Sequence, residues 1–274
     1  MAVGRGGVFR SAISSGGSFM RSLVALSVLG VALSTSAVPA AADGLERVVV
    51  AATGHDSASC GLPTTPCRQF QKALERVLPG GIVVTAGPGS YGTMKITKSV
   101  SVLNDGAGIA MVEGGAGQPV IEVNVPDSGP VVLRGLTIDG RDAASAGISF
   151  AAGGHLLVSK SFIKGSKMGI RIAPQFGGSV TIEDSLVTNN GTGVASSGAS
   201  PGQLSVVLNH VTISATRWDF GDGIGLRVVG RTGAKQFVAM TDTTISNNNM
   251  GPLGAGVGCR RGRGDGDQQR HRQQ

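Results

Sequence analysis

The apolar positions of this chain recur on a scale longer than a strand or a helix. Five short segments carry one pattern of apolar residues around polar and small ones: Leu133 to Gly140, Val158 to Gly165, Ile182 to Asn189, Leu208 to Ala215 and Met240 to Asn247. Aligned, they place Ile138, Ile163, Val187, Ile213 and Ile245 in one column, with steps of 25, 24, 26 and 32 residues. A repeat of that length is one supersecondary unit that cannot bury its apolar face alone, so consecutive units must stack into a solenoid. A second recurrence lies within each unit: Gly147-Ile148, Gly169-Ile170, Gly193-Val194 and Gly225-Leu226 each read as the start of another strand. Two or three strands per coil, all winding in one direction, predict a parallel β-helix with stacked aliphatic side chains inside.

Upstream of the repeats the same texture continues in short Val- and Ile-rich runs at 82–84, 94–96, 100–103, 120–125 and 131–133, separated by Gly, Asn, Asp and Ser. These residues supply left-handed backbone or side-chain turn bonds, and 45 glycines supply corners throughout. Val48 to Ala51 predict a first strand. Thr65 and Pro66 then read as the cap and first turn of a short helix whose Phe70, Ala73, Leu74, Val77 and Leu78 share a face, stopped by Pro79-Gly80-Gly81. A helix ahead of a solenoid is expected to cover the apolar end of the first coil, so residues 43–80 are expected to form an N-terminal cap and 81–250 the β-helix.

The two ends read differently. Arg21 precedes an apolar run from Leu23 to Leu33, and Ala40-Ala41-Ala42 offers a cleavage site, so residues 1–42 read as a signal peptide region with Met20 as an alternative start. The run is half the length of a membrane span, and the mature chain is expected to have none. Beyond Asn249 the strand pattern stops. Residues 251–274 are Gly-, Arg- and Gln-rich, and a one-nucleotide shift of frame would turn Asp267 to Gln274 into a corner like that at Thr241 to Asn247. A disordered, frame-shifted tail is therefore the expectation, with a genuine basic arm as the alternative.

Charge bears on function only after the ends are set aside. The full chain has 24 Lys and Arg against 17 Asp and Glu, but residues 43–250 hold 16 against 15, a net of +1. No basic cluster remains for counterion-releasing phosphate contacts, which excludes the nucleic-acid reading that the high pI would suggest. Cys60 and Cys67 stand close together in an exported body, where a disulfide is the expected state; the absence of C-x-x-C and the isolation of His55 leave no zinc pattern.

Gly81-Ile82-Val83-Val84-Thr85-Ala86-Gly87-Pro88-Gly89-Ser90-Tyr91 resembles the first coil of the right-handed, pectin-lyase-like β-helix superfamily, as do the later Ile-x-Asn-Asn corners. The resemblance covers most of residues 46–250 and implies an all-β, right-handed parallel β-helix of bacterial type, which the signal peptide region is expected to make secreted or periplasmic. Enzymes of that group act on polysaccharides, but their motifs are incomplete here. There is no Asp-Asp pair, Gly154-His155-Leu156 departs from G-H-G, and Arg171-Ile172-Ala173 lacks the lysine of R-x-K. Glu183 and Asp184, adjacent in a strand, would point to opposite faces and could not straddle one sugar bond. The nearest approach to a lyase cluster is Asp139, Arg141 and Asp142, too few oxygens for calcium, so no metal or cofactor is expected. Asn189-Asn190 and Asn247-Asn248-Asn249 are expected to bond backbone at corners.

The step from Ile213 to Ile245 exceeds the others, and the surplus falls on Ala215 to Gly223. Insertions of this kind form loops on a face of a solenoid, often the binding face. This one carries the sole tryptophan, Trp218, beside Arg217, Asp219, Phe220 and Asp222, a set able to stack on a sugar ring and accept its hydroxyl hydrogens. The expectation is a non-catalytic extracellular or envelope scaffold that binds polysaccharide; a divergent lyase or glycoside hydrolase is the alternative.

Overall fold

The structure, a computed structural model, describes residues 44–198, 202–217, 219, 222–230, 232–249 and the backbone of 253–254. The residues read as a signal peptide, Trp218, Phe220 and the tail beyond residue 254 lie outside the described residues. Among those described, no helix is long and apolar enough to cross a membrane.

The chain opens with β1 (Leu45–Val50) and α1 (Phe70–Arg76), after which each coil supplies strands in a fixed order. The first coil has β2 (Val77–Thr85), β3 (Gly89–Ser90) and β4 (Met94–Ile96), and the second β5 (Val100–Leu103), β6 (Ala110–Glu113) and β7 (Pro119–Asn124). In the third, β8 (Pro130–Arg134) is followed by β9 (Leu136–Ala152), and in the fourth, β10 (His155–Ser159) by β11 (Phe162–Ile172). Both long strands turn a corner and serve two faces. The fifth coil has β12 (Gly178–Glu183), β13 (Leu186–Thr188) and β14 (Thr192–Ser197), and the sixth β15 (Gly202–Asn209), β16 (Thr212–Ser214) and β17 (Ile224–Val229). β18 (Ala234–Thr241), β19 (Thr244–Ser246) and β20 (Leu253–Gly254) follow in the seventh.

The named strands pair in parallel from coil to coil, forming a β-helix with three faces. Face one stacks β1, β2, β5, β8, β10, β12, β15 and β18. Face two stacks β3, β6, the start of β9, the start of β11, β13, β16 and β19, while face three takes β4, β7, the remainder of β9 and of β11, β14, β17 and β20. The sequence column is the interior of face two: Ile138 pairs with Ile163, Ile163 with Val187, Val187 with Ile213 and Ile213 with Ile245, and Val112 extends the column one coil earlier. Ile138, Ile163, Val187 and Ile213 are fully buried, and Ile245 half-buried. The Gly-Ile starts form the matching column of face three, Ile148 to Ile170 to Val194 to Leu226.

Corners hold the stack together with polar groups. Between faces one and two, Gly135, Lys160, Asp184, His210 and Asp242 each adopt positive φ, and the N–H groups of Gly135, Lys160, Asp184 and His210 donate to a carbonyl of the next coil. Asp184 is thus a corner residue, not part of a strand with Glu183. Between faces two and three, the Asn190 amide donates to the carbonyls of Ile163 and Thr188 and accepts from the Ser166 N–H. Asn248 repeats the bonds two coils on, to Ile213 O and from Thr216 N–H. These asparagines work as backbone replacements, the role that buried amides without water must fill.

At the N-terminal end the outer edge of β1 is occupied. Val49 N–H donates to Gly61 O, Cys67 N–H to Val49 O and Ala51 N–H to Cys67 O, in a loop closed by the Cys60–Cys67 disulfide. That pairing keeps residues 65–67 extended, so the helix starts at Phe70, later than Thr65 and Pro66 suggested. Asp56 accepts from the Arg68 and Gln69 N–H groups just before it, and Phe70, Ala73 and Leu74 are buried beneath. The chain returns to strand at Val77, and Pro79-Gly80-Gly81 falls within an irregular register of β2.

Candidate functional site

The corner between faces two and three concentrates the charged side chains that sequence reasoning singled out. In the fourth and fifth coils this corner is short, passing through Gly165 and through Asn189-Asn190. Gly165 has φ +68°, a left-handed corner that glycine adopts freely, and a Cβ there would lie 2.7 Å from Asp139 Oδ1, which would have to move aside. On either side the corner swells. In the third coil the pairing shifts between Asp139 and Ala144, leaving Arg141 and Asp142 in an outward bulge with positive φ. In the sixth, Arg217 N–H donates to Asn190 O and Gly223 N–H to Gly191 O, which anchors both ends of the insertion to the fifth coil.

Two tight coils between two swollen ones make a depression of about 320 Å³, lined by Asp139, Asp142, Lys164, Gly165, Asn189 and Arg217. The acidic turn and the insertion, far apart in sequence, meet here: Arg217 Nη1 lies 3.7 Å from Asp142 Oδ2, and its Nε 3.5 Å from Asp219 Oδ1. Lys164 Nζ lies 3.0 Å from Asp139 Oδ2, while Asp139 Oδ1 accepts the Arg141 N–H. The side chain of Arg141 turns away, its Nε and Nη2 bonding Glu113 Oε2 at 3.0 and 2.7 Å. Glu113 also accepts the Ser90 hydroxyl at Oε1, and this bond, followed by those from Arg141, holds its carboxyl below the ordinary glutamate value. Asp222 is likewise drawn elsewhere, accepting from Arg227 at 2.6 Å. Trp218 belongs to the insertion but lies outside the described residues.

Sequence reasoning kept Asp139 and Asp142 apart from Arg217, because nothing local shows that insertions in the third and sixth coils project from the same corner. It also passed over Lys164 as a lining residue. A signal was present: Lys164 directly follows the column residue Ile163, as Asp139 follows Ile138, so stacking places lysine on aspartate. His155 and His210 sit elsewhere, His155 against Ser179 and His210 between Asp184 and Asp242 on the other corner. Among the described residues, no three His, Cys, Asp or Glu side chains gather to hold a metal.

No family model matches the sequence, and no curated protein matches it. Among solved structures, the crystal structure of pectate lyase Pel9A is similar, with 12% identity, 78% of this chain and 80% of that chain covered, and a TM-score of 0.39. A likeness at that level adds nothing to the strand pairing above, on which the fold assignment rests.

Proposed function

We infer that the chain is an exported scaffold that binds a polysaccharide in the depression between faces two and three, without turning it over. The observation that carries this reading is the pairing inside the depression: Lys164 against Asp139 and Arg217 against Asp142. Each cation is already matched, so an ionic ligand would have to break a pair to enter. A hydroxyl-rich chain need not. Carboxylate lone pairs and the Asn189 amide accept and donate to hydroxyls while the pairs persist, which is how a few placed polar groups orient a sugar. The disulfide supports an oxidising compartment, as secretion or periplasmic export would supply.

The alternative, a divergent polysaccharide lyase or hydrolase, is favoured by the same residues, since two carboxylates and two cations share one depression as acid–base chemistry requires. The discriminating experiment is a glycan array with the full chain, followed by incubation of each bound glycan with the protein. Retention of an intact glycan, lost in Arg217→Ala and Asp142→Asn and weakened in Trp218→Ala with an unchanged melting temperature, is expected. New reducing ends or unsaturated uronides would establish the enzyme instead, and an array without a hit would remove both readings.

A further inference from the structure

The corner between faces three and one carries a second concavity, built by the same alternation of swollen and tight coils. The second coil leaves face three through a loop at 125–129 and the fourth through a loop at 173–177, while the third crosses on Gly153 and Gly154 alone. The result is a notch of about 250 Å³ whose walls are the two loops and whose floor is that glycine pair. The floor cannot rise: a Cβ on Gly154 would lie 2.0 Å from Ser128 O, and one on Gly153, at φ +148°, 2.9 Å from the buried Phe150 ring.

One wall presents Phe176, whose side chain is the most exposed large apolar group among the described residues, at 79%. Held at a loop tip, this ring adds nothing to the core and leaves its face available to an apolar surface of similar size. The remaining polar lining is Asn124, Ser128 and Gln175, two amides and a hydroxyl, and no ionisable side chain lines the notch. An aromatic face beside neutral amides over a bare floor matches a ring that is apolar on its faces and hydroxylated at its edge. We propose that this notch is a binding site for a single neutral pyranose ring, stacked on Phe176 and hydrogen-bonded through Asn124, Gln175 and Ser128. The absence of lining charge separates its ligand from any uronate, and its place on another corner separates it from the depression of Asp142 and Arg217.

The test is ligand-observed NMR saturation transfer from the full chain to a panel of neutral methyl pyranosides and methyl uronates. Transfer to at least one neutral pyranoside is expected to persist in the Arg217→Ala variant, which lacks the other depression's cation, to be abolished when Phe176→Ala is added to it, and to be retained when Phe176→Tyr is added instead. Because Phe176 is exposed, the alanine variant should melt with the parent, and circular dichroism checks that it does. Transfer that survives Phe176→Ala in the Arg217→Ala variant, that is confined there to the uronates, or that is absent there from every pyranoside overturns the proposal. Loss in Arg217→Ala with retention in Phe176→Ala would place the sugar in the other depression, leaving that reading standing and this one refuted.

Discussion

Replacing Asn190 by alanine should destabilise the β-helix far more than replacing its neighbour Asn189. Asn190 is fully buried and its amide makes three bonds, donating to Ile163 O at 3.1 Å and Thr188 O at 2.9 Å and accepting Ser166 N–H at 3.0 Å. Alanine removes all three bonds at once in a corner sealed by the coils on either side. Each lost bond costs about 1 kcal/mol, and leaving the buried Ser166 N–H unpaired about 1–3 kcal/mol more, so a loss of about 3–5 kcal/mol is expected. Asn189 lies at φ 52° with its side chain in solvent, and asparagine is there for its tolerance of left-handed backbone. Asn189→Gly should therefore be neutral or stabilising by up to about 1 kcal/mol. Urea unfolding of the two variants and the parent measures the difference. Amide exchange localises it, because the Ser166 N–H should exchange at least about 100-fold faster in Asn190→Ala at 1.4 kcal/mol per tenfold. A loss below about 1 kcal/mol, or equal losses at the two positions, would refute the account of the corner asparagines.

Two further outcomes follow from the same geometry. Val187→Asp puts a carboxylate into the column between Ile163 and Ile213, a cost of several kcal/mol, so the variant should lose its cooperative thermal transition or melt far below the parent; a parental melting curve would place Val187 outside the interior. The depressed Glu113 carboxyl contributes stability that is present above the pKa of an unfolded glutamate and lost as pH falls through its lower folded value. Ser90→Ala should raise the Glu113 pKa towards the ordinary value, as read by NMR titration, and narrow that acid-side stability loss; an unmoved pKa would show that Arg141 alone sets it.

What the sequence made legible is what stacking repeats. The columns through Ile138 and Ile148 recur coil after coil from the third onward, and their spacing alone gives their register. The start of α1 was not, because the helix-opening look of Thr65 and Pro66 competes with backbone pairing from Val49 and Val50 that lies outside the segment itself. The charged depression was half legible. Its residues were named, but their meeting depends on which corner each insertion leaves from. That is fixed by the number of strands per coil, which the pattern left at two or three. Phe176 drew no notice because an isolated Phe in a Gly- and Pro-containing loop has no periodic partner to mark it.

The occupied edge of β1 also gives the molecule a direction of assembly. From β5 onward each strand finds a hydrogen-bonding neighbour roughly one coil earlier in the chain, whereas β1 finds its outer partner in the disulfide loop that immediately follows it. Among the described residues, this amino-terminal end can therefore close on itself from local sequence. A chain emerging from synthesis or export in that order has a template ready before the first repeat arrives, and each new coil needs only its predecessor to settle. Growth can run as a zipper whose start is held by Cys60 and Cys67, so the redox state of that loop should influence how fast the whole solenoid forms as well as how stable it is.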